Sequence, residues 1–183
     1  MSTAMKLQKL NSEDFKDFFE IMKMSFPSIE RRTYEDQFSL LENKYYKIMG
    51  LKDENNNLSS FIALWEFEKF YFIEHFAVHK KLRGHGMGTH MIKQIQEYVG
   101  NKPILLEVEI PEEDIAKRRV EFYKRCGFYF NTYEYMQPPL QKGYPLLPLR
   151  IMSYPEKLIE SDFYRFRDII YKNVYKANLP ELV

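Results

Sequence analysis

The sequence has little cysteine, no excess of either charge and no long apolar run. Lys and Arg number 27 against 26 Asp and Glu, so the basic excess of a nucleic-acid-binding protein is missing. Cys126 is the only cysteine, which excludes an intramolecular disulfide and suits a reducing compartment. No apolar stretch approaches the ~20 residues of a membrane span, and the first 15 residues lack the apolar segment of a secretory signal. We therefore expect a cytoplasmic protein that binds neither nucleic acid nor membranes.

The chain also lacks internal repeats, low-complexity tracts and a linker rich in Gly, Ser or Pro. It does have ample material for a core, since 45% of its residues are hydrophobic and 16% are aromatic. A chain of 183 residues fits one compact domain of the usual size, ~100–200 residues. We predict a single domain over residues 1–183.

Apolar periodicity predicts the element order β-α-α-β-β-β-α-β-α-β-β, followed by an extra helix. The predicted strands are residues 6–10, 45–51, 59–66, 70–78, 103–110, 128–136 and 146–154. The predicted helices begin near Ser12, near Thr33, after residue 88, near Asp114 and near Asp162. This order predicts an α/β (mixed α+β) fold in which helices flank a mixed central sheet of about seven strands.

Several helices have a defined predicted inner face. The second helix should turn Phe38 and Leu41 inward, and the helix after Asp114 should bury either Ile115, Arg119, Phe122 and Cys126 or that stripe rotated by one residue. The last helix carries one apolar row and a second row of tyrosines; these rows are Phe163, Phe166, Ile170 and Val174, and Tyr164, Tyr171 and Tyr175. A helix with two apolar rows requires two partners, and a homodimer interface is one candidate for the second.

Residues 83–88 (RGHGMG) form a glycine-rich turn between a predicted strand and a predicted helix. Backbone N–H groups at such a helix start bind anions, and phosphate is the natural ligand. The dinucleotide fingerprint G-x-G-x-x-G/A fails because Thr89 stands at its third position, and the Gly-Lys-Ser/Thr end of a P-loop does not occur. A nucleotide-binding regulator is therefore disfavoured. The glycines alone could also make a simple tight turn.

The pattern Arg83-x-x-Gly86-x-Gly88, preceded by IEHFAV at 73–78, resembles the coenzyme A-binding motif of the GNAT N-acetyltransferase superfamily. The segment FYKRCGF at 122–128 is similar to a second signature of the superfamily, an aromatic residue and Tyr followed by Gly-Phe. The element order over residues 6–154 agrees with this GNAT-type acyl-CoA N-acyltransferase fold, and residues 156–183 lie outside its usual core. The resemblance implies an acetyl-CoA-dependent N-acetyltransferase that acts on an amine of a small molecule or a protein.

The resemblance also implies where acetyl-CoA binds. The backbone of the strand ending at residue 78 would pair with the pantetheine arm, in a gap between this strand and the strand at 104–110. The backbone amides of the glycine-rich turn would hold the pyrophosphate. The implied cofactor-binding residues are Phe76, Ala77, Val78, Arg83, Gly84, His85, Gly86, Met87, Gly88 and Thr89. One departure is Ala116, which stands where many members have an asparagine that contacts pantetheine.

Two residues are candidates for the proton transfers of amine acetylation. Tyr123 matches the family position of the tyrosine that faces the coenzyme sulfur, and a neutral phenol can donate a proton there. Glu74 is the candidate base, because strand alternation places Phe72, Glu74, Phe76 and Val78 on one face and His75 on the other. A carboxylate among aromatic rings would have its charged form disfavoured. The alternatives are an ordinary helical tyrosine, a solvated or paired glutamate, and a water chain as the base.

The remaining polar residues give weaker signals. His75 and His79 would lie about 13 Å apart on a strand, too far to share a metal ion, so no metal site is expected. Residues 28–32 (SIERR) should border the acceptor, with Arg31 or Arg32 suited to an acidic one and Glu30 to a cationic one. Tyr135 and Gln137 should approach it from the other side. A non-catalytic acyl-CoA-binding sensor is the alternative function, and the sequence does not identify the amine.

Overall fold

The computed structural model of the chain describes residues 5–178. It divides into two compact units, and the division lies between Lys102 and Pro103, inside the single domain predicted from the sequence. Each unit contains four strands. The mixed α/β class is confirmed, and residues 5–178 contain eight strands and five α-helices where about seven strands were expected.

The first unit contains strands β1 to β4 and helices α1 to α3. The strands are β1 (Gln8–Lys9), β2 (Tyr46–Lys52), β3 (Leu58–Glu66) and β4 (Tyr71–Val78), and the helices are α1 (Phe15–Ser25), α2 (Tyr34–Ser39) and α3 (Met87–Val99). Short 3₁₀ turns lie at Ser28–Glu30, Leu40–Glu42 and Lys80–Leu82. The strands follow one another in the order β1-β2-β3-β4, and each pair is antiparallel.

Helices α1 and α3 cover opposite faces of β3. The ring of Phe18 on α1 packs against that of Phe61 with centroids 4.6 Å apart, while the hydroxyl of Ser60, the preceding residue of β3, lies 3.7 Å from the sulfur of Met91 on α3. Side chains of successive strand residues point to opposite faces, which separates the two helices. The apolar stripe predicted for α3 is buried in full: Met91, Ile92, Ile95 and Val99.

Helix α2 begins where it was predicted but turns a different face inward. Thr33 caps it, because its hydroxyl oxygen accepts a hydrogen bond from the Asp36 amide at 3.2 Å. The prediction that Phe38 points inward is wrong, since 43% of Phe38 is exposed. Gln37 is buried in its place and donates a hydrogen bond to the Tyr46 hydroxyl at 2.6 Å. A polar contact therefore sets the orientation of this short helix.

The second unit is built around its longest strand, β8. Its elements are β5 (Ile104–Glu109), α4 (Asp114–Arg125), β6 (Tyr129–Phe130), β7 (Tyr135–Gln137), β8 (Leu147–Tyr154) and α5 (Glu160–Asn173). Strand β8 pairs antiparallel with β5, β6 and β7. The strand predicted at 128–136 is interrupted, because the buried Asn131 side chain donates hydrogen bonds to Ile151 O and Ser153 Oγ instead of extending the strand.

The two helices of this unit settle which predicted faces are buried. Helix α4 buries Ala116, Val120 and Tyr123, the stripe rotated by one residue. The apolar row predicted for the last helix is buried, and of the tyrosine row Tyr171 and Tyr175 are buried while Tyr164 is 41% exposed. The Tyr171 hydroxyl donates a hydrogen bond to Met136 O at 2.5 Å. Between residues 5 and 178, no helix has both the length and the apolar character needed to cross a membrane.

Candidate active site

Strand β4 contains a bulge at Glu74, and this bulge changes which side chains share a face. His75 lies opposite Ala63 and Ile73 lies opposite Leu64, so Glu74 has no cross-strand partner in β3. Opposite residues in a ladder share a face, which places His75 on the same face as Ala63 and Trp65. An extra residue of this kind resets the alternation of a strand.

The faces predicted for β4 are therefore wrong across the bulge, although Phe76 and Val78 do share a face as predicted. Phe72 lies opposite Trp65, whereas Phe76 lies opposite Ile62, so Phe72 and Phe76 point to opposite faces and not to one. His75 shares the face of Phe72 and was predicted to lie on the other. The physical reason is the unpaired residue, which a strict two-residue period does not include.

The Glu74 carboxylate is buried and has two hydrogen-bond donors. Arg32 Nη1 lies 2.6 Å from Oε1, and the Trp65 indole N–H donates to Oε2 at 2.9 Å. The exposed fraction of the side chain is 1% for Glu74 and 7% for Arg32. The structure shows that Glu74 is an ion-paired glutamate, which is one of the alternatives that the sequence left open. Its charge has a partner, contrary to the expectation of a carboxylate surrounded only by aromatic rings.

His75 lies beside this ion pair and is fully buried. Its Nε2 lies 2.7 Å from the carbonyl oxygen of Glu30, so Nε2 must carry the proton and donate it. Its Nδ1 has no hydrogen-bond partner among residues 5–178. Burial lowers the pKa of His75, against an opposing effect of the Glu74 charge. The imidazole is therefore neutral at physiological pH.

The glycine-rich turn connects β4 to α3 and presents bare backbone to solvent. Gly84 and Gly86 have φ values of +83° and +76°, and a Cβ atom built on either would meet no atom within 4 Å. Gly86 is the N-cap residue of α3, and no side chain caps this helix end. The first amides of an α-helix have no acceptor inside the helix. The turn therefore offers N–H groups and open space, which fits a phosphate group.

Cationic side chains surround this turn. Arg83 is exposed, and its Nε donates a hydrogen bond to Val78 O at 3.0 Å, which ties the turn to the end of β4. Lys80 and Lys81, in the preceding 3₁₀ turn, are also exposed. These charges favour an anion at the N-terminus of α3, in the same sense as the helix dipole. Of the predicted site residues, Glu74, Phe76 to Val78 and Arg83 to Thr89 lie on this one β4–turn–α3 segment.

Tyr123, the candidate acid, belongs to the second unit. It lies in the last turn of α4 and is buried between the rings of Phe122 and Phe128, with centroid distances of 5.2 and 5.7 Å. Burial raises the pKa of the Tyr123 phenol far above its usual range. The phenol is therefore a protonated donor over the whole neutral range.

Two further predicted residues of the second unit meet at a carboxylate. The Tyr135 hydroxyl donates to Glu107 Oε1 at 2.6 Å, and the Gln137 amide donates to Oε2 of the same residue. Tyr175 adds a third donor, with its hydroxyl 2.7 Å from Oε1. These contacts attach β7 and the segment after α5 to β5.

Sequence reasoning missed Arg32 and Trp65 as partners of Glu74. Arg32 is 42 positions from Glu74, and no local pattern connects them. The sequence suggests Arg32 as a ligand for an acidic acceptor, but in the structure its guanidinium is bonded to Glu74. Among residues 5–178, no three His, Cys, Asp or Glu side chains are arranged to hold a metal ion.

Comparison with known proteins agrees with this geometry. The sequence profile described as "Acetyltransferase (GNAT) family" matches residues 12–128. A Bacillus subtilis protein whose name assigns it as an acetyltransferase, YjbC, is 32% identical over 114 residues, which cover 61% of this chain and 56% of the relative. The chain thus matches little more than half the length of that relative.

Solved structures extend the likeness to nearly the whole chain. The structure of a Bacteroides thetaiotaomicron protein described as a putative acetyltransferase of the GNAT family is 30% identical and covers 94% of this chain and 99% of its own, with a TM-score of 0.86. The spermidine/spermine N-acetyltransferase SpeG of Vibrio cholerae is 16% identical, covers 88% and 96%, and has a TM-score of 0.61. At that identity the likeness shows the fold alone. The family profile and the high-coverage relative together show that the chain belongs to the GNAT family of acetyltransferases.

Proposed function

We propose that the chain is an N-acetyltransferase that transfers the acetyl group of acetyl-CoA to a primary amine of a small molecule or a protein. The observation that carries this proposal is the turn at residues 83–89. It combines an uncapped helix start, two glycines with positive φ and no neighbouring atom, and exposed cations. These features suit the pyrophosphate of coenzyme A. Acetyl-CoA would supply the activated thioester.

Two side chains of the protein would carry out the two proton transfers of the reaction. Glu74 would accept the proton that the amine nitrogen loses as the carbon–nitrogen bond forms, directly or through a water molecule. Tyr123 would donate a proton to the sulfur as the carbon–sulfur bond breaks, and solvent would then restore both side chains. Groups in such roles each contribute a factor of about 10²–10⁴ to the rate. Glu74 lies in the first unit and Tyr123 in the second, and the contacts of each residue within its own unit support its role.

One observation favours a second candidate, a non-catalytic acyl-CoA-binding sensor. Both oxygens of Glu74 already accept a hydrogen bond, and its side chain is almost fully buried. A carboxylate in this state can serve as structure alone. The sensor would share the coenzyme site but would not release thiol.

Release of free thiol from acetyl-CoA in the presence of an amine distinguishes the two functions. The amines should span polyamines, amino acids, aminoglycosides and peptide N-termini. We expect release that depends on one class of amine, and a loss of about 10²–10⁴ in kcat for Glu74→Gln. Glu66→Gln is the matched control, because Glu66 is also an ion-paired carboxylate of this sheet, bonded to Lys47. Tight acetyl-CoA binding without release by any amine would support the sensor.

A further inference from the structure

The bulge in β4 leaves the direction of the Glu74 side chain to be set by other contacts. A ladder residue is held by its cross-strand partner, but Glu74 has none in β3. Its carboxylate is instead bonded at one oxygen by Arg32 and at the other by Trp65. Rotation of the carboxyl group about its terminal bond would break both contacts, so together they fix its orientation.

These two donors leave part of the carboxylate unused. A carboxylate has about four acceptor positions, two on each oxygen. Arg32 occupies one position on Oε1 and Trp65 one on Oε2. One acceptor position on each oxygen therefore remains, in a direction that the two donors define.

Arg32 is itself attached to the strand at a second point. It follows the 3₁₀ turn Ser28–Glu30, and the carbonyl oxygen of Glu30 accepts a hydrogen bond from His75 Nε2 at 2.7 Å. Residues 30 and 32 of this segment thus contact residues 75 and 74 of β4. The guanidinium therefore approaches Glu74 from a backbone that is already held in register with the strand.

Stability alone does not account for this pair. A buried ion pair adds little net stability compared with apolar side chains of the same volume. A buried carboxylate without its cation, by contrast, is strongly unfavourable. The ion pair therefore stabilises the fold less than a hydrophobic contact would. It does fix the orientation of a carboxylate on the strand that leads into the glycine-rich turn.

We infer that Arg32 is a positioning residue for acetyl transfer: it holds Glu74 against the Trp65 indole, in the orientation in which Glu74 accepts the amine proton. This inference rests on the proposed function. It predicts that the guanidinium acts through Glu74 and touches neither substrate. Loss of Arg32 should therefore lower kcat and leave the affinity for acetyl-CoA unchanged.

The test uses Trp65, which is the only tryptophan in the chain. In ¹⁵N-labelled protein its indole N–H gives one resonance, and this resonance reports the contact with Glu74 directly. Arg32→Met should shift it and speed its exchange with solvent, whereas Arg32→Lys should keep it near the wild-type position. Arg31→Met is the matched control, because the Nε of Arg31 donates to Phe26 O. It should leave the resonance in place.

Turnover is measured on the same proteins and normalised to the folded fraction. We expect kcat to fall about a hundredfold in Arg32→Met, the size of effect that a misplaced catalytic group produces, and to recover largely in Arg32→Lys. Wild-type kcat alongside a shifted indole resonance would overturn the catalytic part of the inference. An unshifted resonance in Arg32→Met would overturn the structural part.

Two outcomes need separate handling. If Arg32→Met does not fold, Arg32→Gln replaces it, since its amide can still donate one hydrogen bond but carries no charge, and an intermediate indole shift is expected. If the wild type transfers no acetyl group to any amine, the proposed function fails, and with it any catalytic role of Arg32. The indole resonance then still decides whether Arg32 holds Glu74.

Discussion

Helix α3 has a glycine with positive φ at each end, and this pair allows the coenzyme site to be tested against its own control. Gly86 caps the start of the helix at φ +76° and Gly100 caps its end at φ +71°. A Cβ at either position would meet no atom within 4 Å. Gly86 has ψ +1° and is left-handed, so alanine there should cost about 1–2 kcal/mol, whereas Gly100 has ψ −125°, outside the left-handed helical region, and alanine there should cost more. For a chain of this size, about 1–2 kcal/mol lowers Tm by roughly 2–8 °C in Gly86→Ala, and Tm should fall further in Gly100→Ala.

Glutamate at the same positions should separate binding from stability. In Gly86→Glu the new carboxylate would repel a bound pyrophosphate: two unit charges ~6 Å apart repel by about 0.7 kcal/mol in water and about 3 kcal/mol at an effective dielectric constant of ~20. The affinity for coenzyme A should fall by a factor of about three to about a hundred. Gly100→Glu should have the same affinity for coenzyme A as Gly100→Ala.

Isothermal titration calorimetry with coenzyme A measures the affinity, and thermal unfolding measures the cost of the backbone change. Pantetheine, which lacks the pyrophosphate, is the ligand control, and its binding should not distinguish the two glutamate variants. Added salt should reduce the repulsion in Gly86→Glu because it screens exposed charges. Equal affinity of the two glutamate variants for coenzyme A would refute the assignment of residues 83–89 to the pyrophosphate.

Three further predictions concern single side chains. Tyr123→Phe should lower kcat about 10²–10⁴-fold without changing coenzyme A affinity; an unchanged kcat would remove Tyr123 as the acid. Burial lowers the pKa of His75 below its usual 6.5, so the unfolded chain binds a proton at this imidazole more tightly than the folded chain does. The free energy of unfolding should therefore be at its full value above about pH 6.5 and should decrease as the pH falls below it. Urea unfolding at pH 7 and 5 should show a smaller loss in His75→Leu, and an equal loss would exclude His75 as a source. Gly50→Ala should destabilise the protein by about 1–3 kcal/mol, because its Cβ would lie 2.8 Å from a Leu58 methyl; a midpoint equal to wild type would show that the core accommodates it.

The sequence predicted the fold well where periodicity or a strong end signal was present. The buried stripe of α3 and the glycine that ends it were both predicted in position, because a long amphipathic helix repeats its signal over several turns. The glycine-rich turn was predicted between a strand and a helix, and it connects β4 to α3. Both features depend on residues close together in the chain.

The wrong or missing predictions depend instead on residues that are far apart in the chain. The face of α2 depends on a hydrogen bond from Gln37 to Tyr46, and the environment of Glu74 depends on Arg32 and Trp65. Contacts of this kind join segments that are far apart in the chain, so no local sequence pattern predicts them. The bulge in β4 also left no readable signal, since IEHFAV does not alternate between apolar and polar residues and therefore marks no position for an extra residue.

The bulge has a consequence for how the chemistry of this protein can change over evolution. Every other residue of β4 faces a partner in β3, so a substitution at those positions disturbs a packed cross-strand pair. Glu74 is the extra residue of the strand and belongs to no such pair. Its side chain can be exchanged, together with that of Arg32, without altering the register of the sheet. One inserted residue thus separates the part of β4 that must be conserved for folding from the part that is free to acquire a new activity.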